Sequence, residues 1–159
     1  MSEIRSEKLT VVKVGGAILE DAVSLSGFLD RFVALPGLKI LVHGGGRAAT
    51  SLAAKLGIES KMVEGRRITD AETLDIVTMV YGGLVNKKTV AALQARNCNA
   101  AGFTGADLNL VKARKRPVAE IDYGFVGDIT AVQSGAFANL LQLGITPVVA
   151  PLTHDGNGQ

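Results

Sequence analysis

The chain has 159 residues, the length of a single domain. Hydrophobic residues make up 47% and charged residues 20%, a balance that excludes disorder and allows a sizeable core. A net charge of +2 points to neither a nucleic-acid nor a membrane partner. No apolar stretch reaches the roughly 18–20 residues of a membrane helix. The single Cys98 excludes an internal disulfide and a cysteine-caged zinc. Residues 1–7 carry acids and no apolar run, so no signal peptide is read there and a soluble cytoplasmic chain is expected.

Residues 9–14 (LTVVKV) are short and β-branched, a buried strand stopped by Gly15-Gly16. Residues 21–35 place Val23, Leu25, Phe28, Leu29, Phe32 and Val33 on a helical face, closed by Pro36-Gly37. A second strand over 39–43 runs into Gly44-Gly45-Gly46, and a helix over 48–56 follows, closed by Gly57. Thr69 and Glu72 have the spacing of a capping box ahead of a long helical run from Leu74 to Val85. Gly82-Gly83 interrupt that run, which predicts a bend or a close neighbour before helix resumes from Leu84 towards Ala95. Short strands are expected over 99–103, 109–113 and 125–132, a helix over 134–143 capped by Ser134, and a buried strand over 145–150. Asp155-Gly156 and Asn157-Gly158 are hairpin-turn signals with no returning strand, so a fragment of something longer is expected.

Strand, helix, strand, helix predicts an open, mostly parallel sheet between helices, an α/β/α sandwich. Ligands of such sheets bind beyond the carboxyl ends of the strands, where both glycine clusters fall. Lys13 ends the first strand and can turn its ammonium into that crevice, although a strand-end lysine can also simply reach solvent. The Gly15-Gly16 and Gly44-Gly45-Gly46 turns let backbone N–H groups approach an anion, and the second opens a helix whose N-terminus favours negative charge. Arg67, placed by a glycine turn at a helix start, suits a carboxylate. Lys112, Arg114, Lys115 and Arg116 form the most basic stretch, read as an exposed hairpin turn rather than a nucleic-acid site.

Two other readings compete. Gly44, Gly46 and Ala49 satisfy G-x-G-x-x-G/A with Glu64 twenty residues on, the fingerprint of an NAD(P)-dependent oxidoreductase. A non-catalytic binding or assembly module is the other. No P-loop motif is present.

Four segments taken in order, Val12-Lys13-Val14-Gly15-Gly16, Val42-His43-Gly44-Gly45-Gly46, Gly65-Arg66-Arg67-Ile68-Thr69 and Tyr123-Gly124-Phe125-Val126-Gly127-Asp128-Ile129, resemble the amino-acid kinase superfamily. Within it, the likeness is to the branch that phosphorylates the side-chain carboxylate of N-acetylglutamate in arginine biosynthesis. It implies that residues 1–159 form the N-terminal, amino-acid-binding half of an amino-acid kinase fold, without the ATP-binding half. Lys13 matches the catalytic lysine that acts on the transferred phosphoryl group. Gly16 and Gly45 match glycines beside that group, and Gly45, Gly46 and Arg67 match substrate-binding positions. ATP with Mg²⁺ is the implied donor, although no metal ligand stands out in the sequence. A homodimer formed through the region from Leu74 to Leu93 is implied as well. Leu108, following Asp107, departs from the family's glycine-aspartate-glycine ending.

Overall fold

The computed structural model describes residues 8–159; the stretch 1–7, read above as no signal peptide, lies outside the described residues. Strands β1 (Leu9–Val14), β2 (Leu38–His43), β5 (Ala100–Phe103) and β8 (Thr146–Val149) form one sheet in the order β1-β2-β8-β5. Every pair in it is parallel. Register places Val14 beside His43, Val42 beside Val149 and Phe103 beside Val149, so the carboxyl ends of all four strands emerge along one edge. The expected parallel α/β sheet is the one observed.

The pleat of these strands sorts side chains onto two faces. Leu41, Val14, Val148 and Ala100 face α2 (Ala22–Ala34) and α5 (Asn86–Gln94), where Leu29, Phe32, Leu93 and Cys98 complete a buried cluster. Ile40 and Val149 point the other way, onto Leu141 of α6 (Ser134–Gln142). The second face is covered only in part. Leu9, Val11, Leu38, Ile40 and Val42 line an apolar hollow of about 930 Å³ against α6, and Val11 is 60% exposed.

Two elements lie outside the sheet near its carboxyl edge. The hairpin of β3 (Met62–Val63) and β4 (Arg66–Arg67) turns at Glu64 and Gly65, both in the left-handed region (φ 51° and 75°). The antiparallel pair of β6 (Val111–Lys115) and β7 (Gly127–Val132) forms a second ribbon. The segment after β8 docks on it, with Ala113 N–H donating to the His154 carbonyl at 2.8 Å.

Several local expectations are corrected. Helix α4 (Ala71–Val77) is capped by Asp70, whose Oδ1 accepts from Thr73 N–H at 2.9 Å, and not by the Thr69–Glu72 box. The Thr69 N–H is already paired with the Tyr123 carbonyl, so Glu72 finds no donor to reach back to, and the Thr69 carbonyl is engaged by Phe125 N–H. Helix α3 (Gly46–Lys55) begins two residues before the expected 48, so the third glycine is its first residue. Ser134 starts α6 without a side-chain capping bond. The basic stretch is strand β6 rather than a turn, and Arg116 just beyond it pairs with Asp128 at 2.7 Å. Gly82-Gly83 do not break the long helix; they lie in a π-helical segment, Thr78–Val85, that joins α4 to α5. A Cβ on Gly82 would make ordinary contact at 3.4 Å with Leu152 Cδ1 and Thr104 Cγ2, and one on Gly83 would meet nothing within 4 Å, so no tight neighbour demands the pair. At the far end, Asp155 Oδ1 accepts from Asn157 and Gln159 N–H, closing the turn that the Asp-Gly and Asn-Gly pairs signalled.

Candidate functional site

The two glycine turns lie side by side at the carboxyl ends of β1 and β2. Gly44 N–H donates to the Val14 carbonyl at 2.9 Å, which extends the β1–β2 pairing one step past the strands. A Cβ on Gly44 would lie 3.7 Å from the Gly16 amide nitrogen, and one on Gly16 would lie 3.9 Å from that of Gly46. Gly16 opens the short helix α1 (Gly16–Glu20), and Gly45 caps α3. The first turn of a helix leaves its N–H groups without intrahelical partners, so the Gly45 and Gly46 amides are available to an anion.

Lys13 is exposed beside these turns. Its Nζ lies 4.0 Å from where a Gly15 Cβ would stand, so the ammonium lies over the first glycine turn. The face of Gly45 is closed by an aromatic ring: a Cβ there would come within 2.8 Å of Tyr81 Cδ1. Tyr81 Oη is also 3.8 Å from the corresponding position on Gly46. Only glycine fits under that ring.

Arg67 reaches the same place from the β3–β4 hairpin. Its Nη2 donates to the Gly46 carbonyl at 2.9 Å and to Thr50 Oγ1 at 2.8 Å, while Nη1 donates to Ser60 Oγ at 2.8 Å. Arg66, Arg67, Arg116, Thr69, Tyr81 and Tyr123 line a hollow of about 520 Å³ next to the glycine turns. Three guanidinium-bearing residues around a cleft partly walled by tyrosines suit a small anionic molecule that also carries an apolar part.

Lys13, Gly16, Gly45, Gly46 and Arg67 therefore gather at one end of the sheet. Glu64 does not join them as a ribose ligand would; it is the exposed first residue of a hairpin turn, and its glycine cluster follows the second strand rather than the first. Among the described residues no group of three His, Cys, Asp or Glu side chains converges, so these residues offer no metal cage. Among the described residues, too, no helix is long and apolar enough to cross a membrane.

Three residues escaped the sequence reading. Tyr81 falls inside the helical run from Leu74 to Val85, where only its place beside two glycines sets it apart. Thr50 and Ser60 carry no local signal, because their role is to accept from an arginine 17 and 7 residues away. Beneath the site, His43 is 1% exposed, and burial holds its imidazole below the usual pKa against an opposing pull from the Gly44 carbonyl.

Comparison with known proteins identifies the family and the fold. Acetylglutamate kinase of Bacteroides fragilis is 62% identical over 158 residues, covering 99% of this chain and 60% of that protein. The Bacteroides thetaiotaomicron enzyme is 64% identical over 152 residues, with 96% and 59% covered. Acetylglutamate kinase of Methanopyrus kandleri is 41% identical, with 94% and 60% covered. The chain thus spans about 60% of the length of these relatives. Among solved structures, N-acetylglutamate synthase of Neisseria gonorrhoeae, complexed with coenzyme A and N-acetyl-glutamate, superposes with a TM-score of 0.77 at 24% identity. That match covers 95% of this chain and 35% of the synthase. A Streptococcus mutans protein gives the same TM-score at 22% identity, covering 95% of this chain and 61% of that one. These two similarities concern the fold alone. The family described as "Amino acid kinase family" matches residues 8–159, the full described span, and the chain belongs to it.

Proposed function

We propose that this chain is the acceptor-binding half of a kinase that moves the γ-phosphoryl group of ATP onto the side-chain carboxylate of N-acetylglutamate, or of a closely related N-acylglutamate. The products are ADP and the acyl phosphate, a step of arginine biosynthesis in the cytoplasm. A carboxylate oxygen forms the new P–O bond as the bond between the γ-phosphorus and the β–γ bridging oxygen breaks, and no proton needs removal because the carboxylate is already ionised. The observation that carries this reading is the convergence of Lys13, the two glycine turns and Arg67 at one sheet edge.

Each residue has a role. The Lys13 ammonium neutralises charge that spreads over the transferred phosphoryl oxygens. The Gly16 and Gly45 amides hold the same group in place without a Cβ in the way. Gly45, Gly46 and Arg67 bind the acylated amino acid, with the guanidinium on a carboxylate that replaces the Gly46 carbonyl and Thr50 hydroxyl as its acceptor. ATP, accompanied by Mg²⁺, is assigned to the portion of the relatives that this chain does not match. A homodimer through the face that exposes Met79 and Leu84 belongs to the same proposal.

Calorimetric titration of N-acetyl-L-glutamate into the chain, with L-glutamate and NADH as controls, tests the acceptor role. Saturable binding of the acylated compound that is weakened in Arg67→Ala supports it; NADH binding in its place overturns it. Trapping the acyl phosphate with hydroxylamine in the presence of ATP and Mg²⁺ tests transfer. In the full-length protein, Lys13→Ala lowers turnover by orders of magnitude, and undiminished turnover removes Lys13 from the mechanism. Binding without transfer by the 159-residue chain identifies it as a binding module in isolation.

A further inference from the structure

Below the second glycine turn lies a polar network that the proposed reaction does not use directly. Asn86, the first residue of α5, is 1% exposed, as is His43 at the end of β2. Asn86 Nδ2 lies 2.9 Å from the Val148 carbonyl oxygen and 3.0 Å from His43 Nε2, and His43 Nδ1 lies 2.7 Å from the Gly44 carbonyl oxygen. Lys87 Nζ donates to Asn86 Oδ1 at 3.1 Å and to the Gly102 carbonyl at 3.2 Å.

These contacts fix every proton in the chain of bonds. A carbonyl accepts only, so the Asn86 atom facing Val148 is the amide nitrogen, and a flipped amide would set two oxygens against each other. Its second hydrogen then faces His43 Nε2, which must accept. The imidazole is therefore neutral and carries its proton on Nδ1, which donates to the Gly44 carbonyl. The peptide bond that follows is trans, as no cis bond occurs among the described residues, so its N–H, on Gly45, points opposite to that carbonyl. The carbonyl is drawn towards the buried ring. The Gly45 amide is thereby turned outward.

We propose that Asn86 is a positioning residue: by fixing the tautomer of His43 it anchors the Gly44 carbonyl in the core and aims the Gly45 N–H into the anion-binding turn. The reach of the network extends one strand further. A Cβ on Gly102 would collide with Asn86 Oδ1 and come within 2.8 Å of Asn86 Cγ, so glycine at that point of β5 is a condition for Asn86 to hold its place. The functional importance of the Gly45 amide rests on the kinase reading, whereas the tautomer and the aim of the amide do not.

The test separates the two. ¹⁵N NMR of the imidazole in the unliganded chain at neutral pH reads Nε2 as the unprotonated nitrogen. Asn86→Asp, nearly isosteric, sets an oxygen between Nε2 and the Val148 carbonyl while its other oxygen keeps the Lys87 ammonium; as a carboxylate it offers Nε2 only acceptors, so Nε2 takes up a proton and its resonance moves to the protonated range. Asn86→Ala and Gly102→Ala release the ring and displace the Gly45 and Gly46 amide resonances, while those of the distant β6–β7 ribbon stay in place. An Nε2-protonated wild type, or an Asn86→Asp spectrum with Nε2 still bare, overturns the proposal. In the binding arm, Asn86→Asp weakens N-acetyl-L-glutamate about tenfold or more. Undiminished affinity in that variant overturns the positioning role. If the wild type binds no N-acetyl-L-glutamate, the kinase reading fails and the NMR arm alone decides the proposal.

Discussion

Replacing Leu108 with glycine should stabilise the chain, and the size of the effect follows from the backbone. Leu108 has φ 52° and ψ 19°, a left-handed conformation that crowds the Cβ of any L-residue. That crowding costs about 1–2 kcal/mol. Glycine escapes it but gives back about 0.5–1 kcal/mol through the greater freedom of the unfolded chain. The side chain is 62% exposed, so removing it forfeits little burial. The net gain is therefore about 0–1.5 kcal/mol, with a midpoint of about 0.75 that corresponds to a rise in Tm of roughly 2–3 °C for a chain of this size. Asn109 provides an internal control. Its φ is 55°, but asparagine tolerates this region, so Asn109→Gly should gain less. Urea unfolding followed by circular dichroism measures both variants against the parent. A loss of stability in Leu108→Gly, or a larger gain at 109 than at 108, would refute the reasoning.

Other expectations follow from the site and its supports. Arg67→Ala should weaken N-acetyl-L-glutamate binding by about 10–100-fold, the worth of a charge-assisted hydrogen bond of roughly 1.5–3 kcal/mol, and calorimetry reads it directly. The same variant should speed amide exchange at Ile68, because Arg67 ties the β3–β4 hairpin to α3. Gly124→Ala should destabilise by more than about 2 kcal/mol in urea melts, from left-handed strain and a steric clash together. Gly124 has φ 72°, and a Cβ there would strike the Thr69 carbonyl. Stability should also fall as pH drops below 6.5, the ordinary histidine value. His43 is held neutral in the folded chain and protonates first in the unfolded one, so the loss grows until the lowered folded pKa is passed. Asp21, Asp70 and Asp155 are shifted down as well, each mainly by hydrogen bonds to its carboxylate, and act in a separate window below 3.8. A flat urea midpoint from about pH 7 to about pH 5 would count against the buried neutral imidazole.

The four sheet strands were legible because each is a short apolar run ended by glycine, proline or polar residues, and two of them deliver glycine turns to the same edge. Lys13 and Arg67 were legible as charges next to such turns. Elsewhere local pattern was outvoted by distant partners. Thr69 has the ideal cap spacing, yet its backbone is engaged by Tyr123 and Phe125, more than fifty residues on, so Asp70 caps instead. The basic residues of β6 look like a turn because the strand that pairs with them begins only at Gly127. Leu108 departs from the family pattern in the sequence, but nothing local marks its left-handed backbone, because leucine rarely adopts that conformation. Asn86 gave no signal at all. Its partners are His43 and Val148, 43 and 62 residues away, and a single asparagine in a helix is an ordinary exposed residue by default.

The short run after β8 has a further consequence. Pro151, Leu152 and Thr153 line both the apolar hollow on the open sheet face and the arginine-rimmed cleft. With Ile129 of β7, which lines both hollows too, this strip divides an oily chamber from a cationic one, and it is anchored where Gly105 N–H meets the Leu152 carbonyl at 2.6 Å. Anything that pushes the strip toward one compartment narrows that side while enlarging the other. Neither chamber can be reshaped alone.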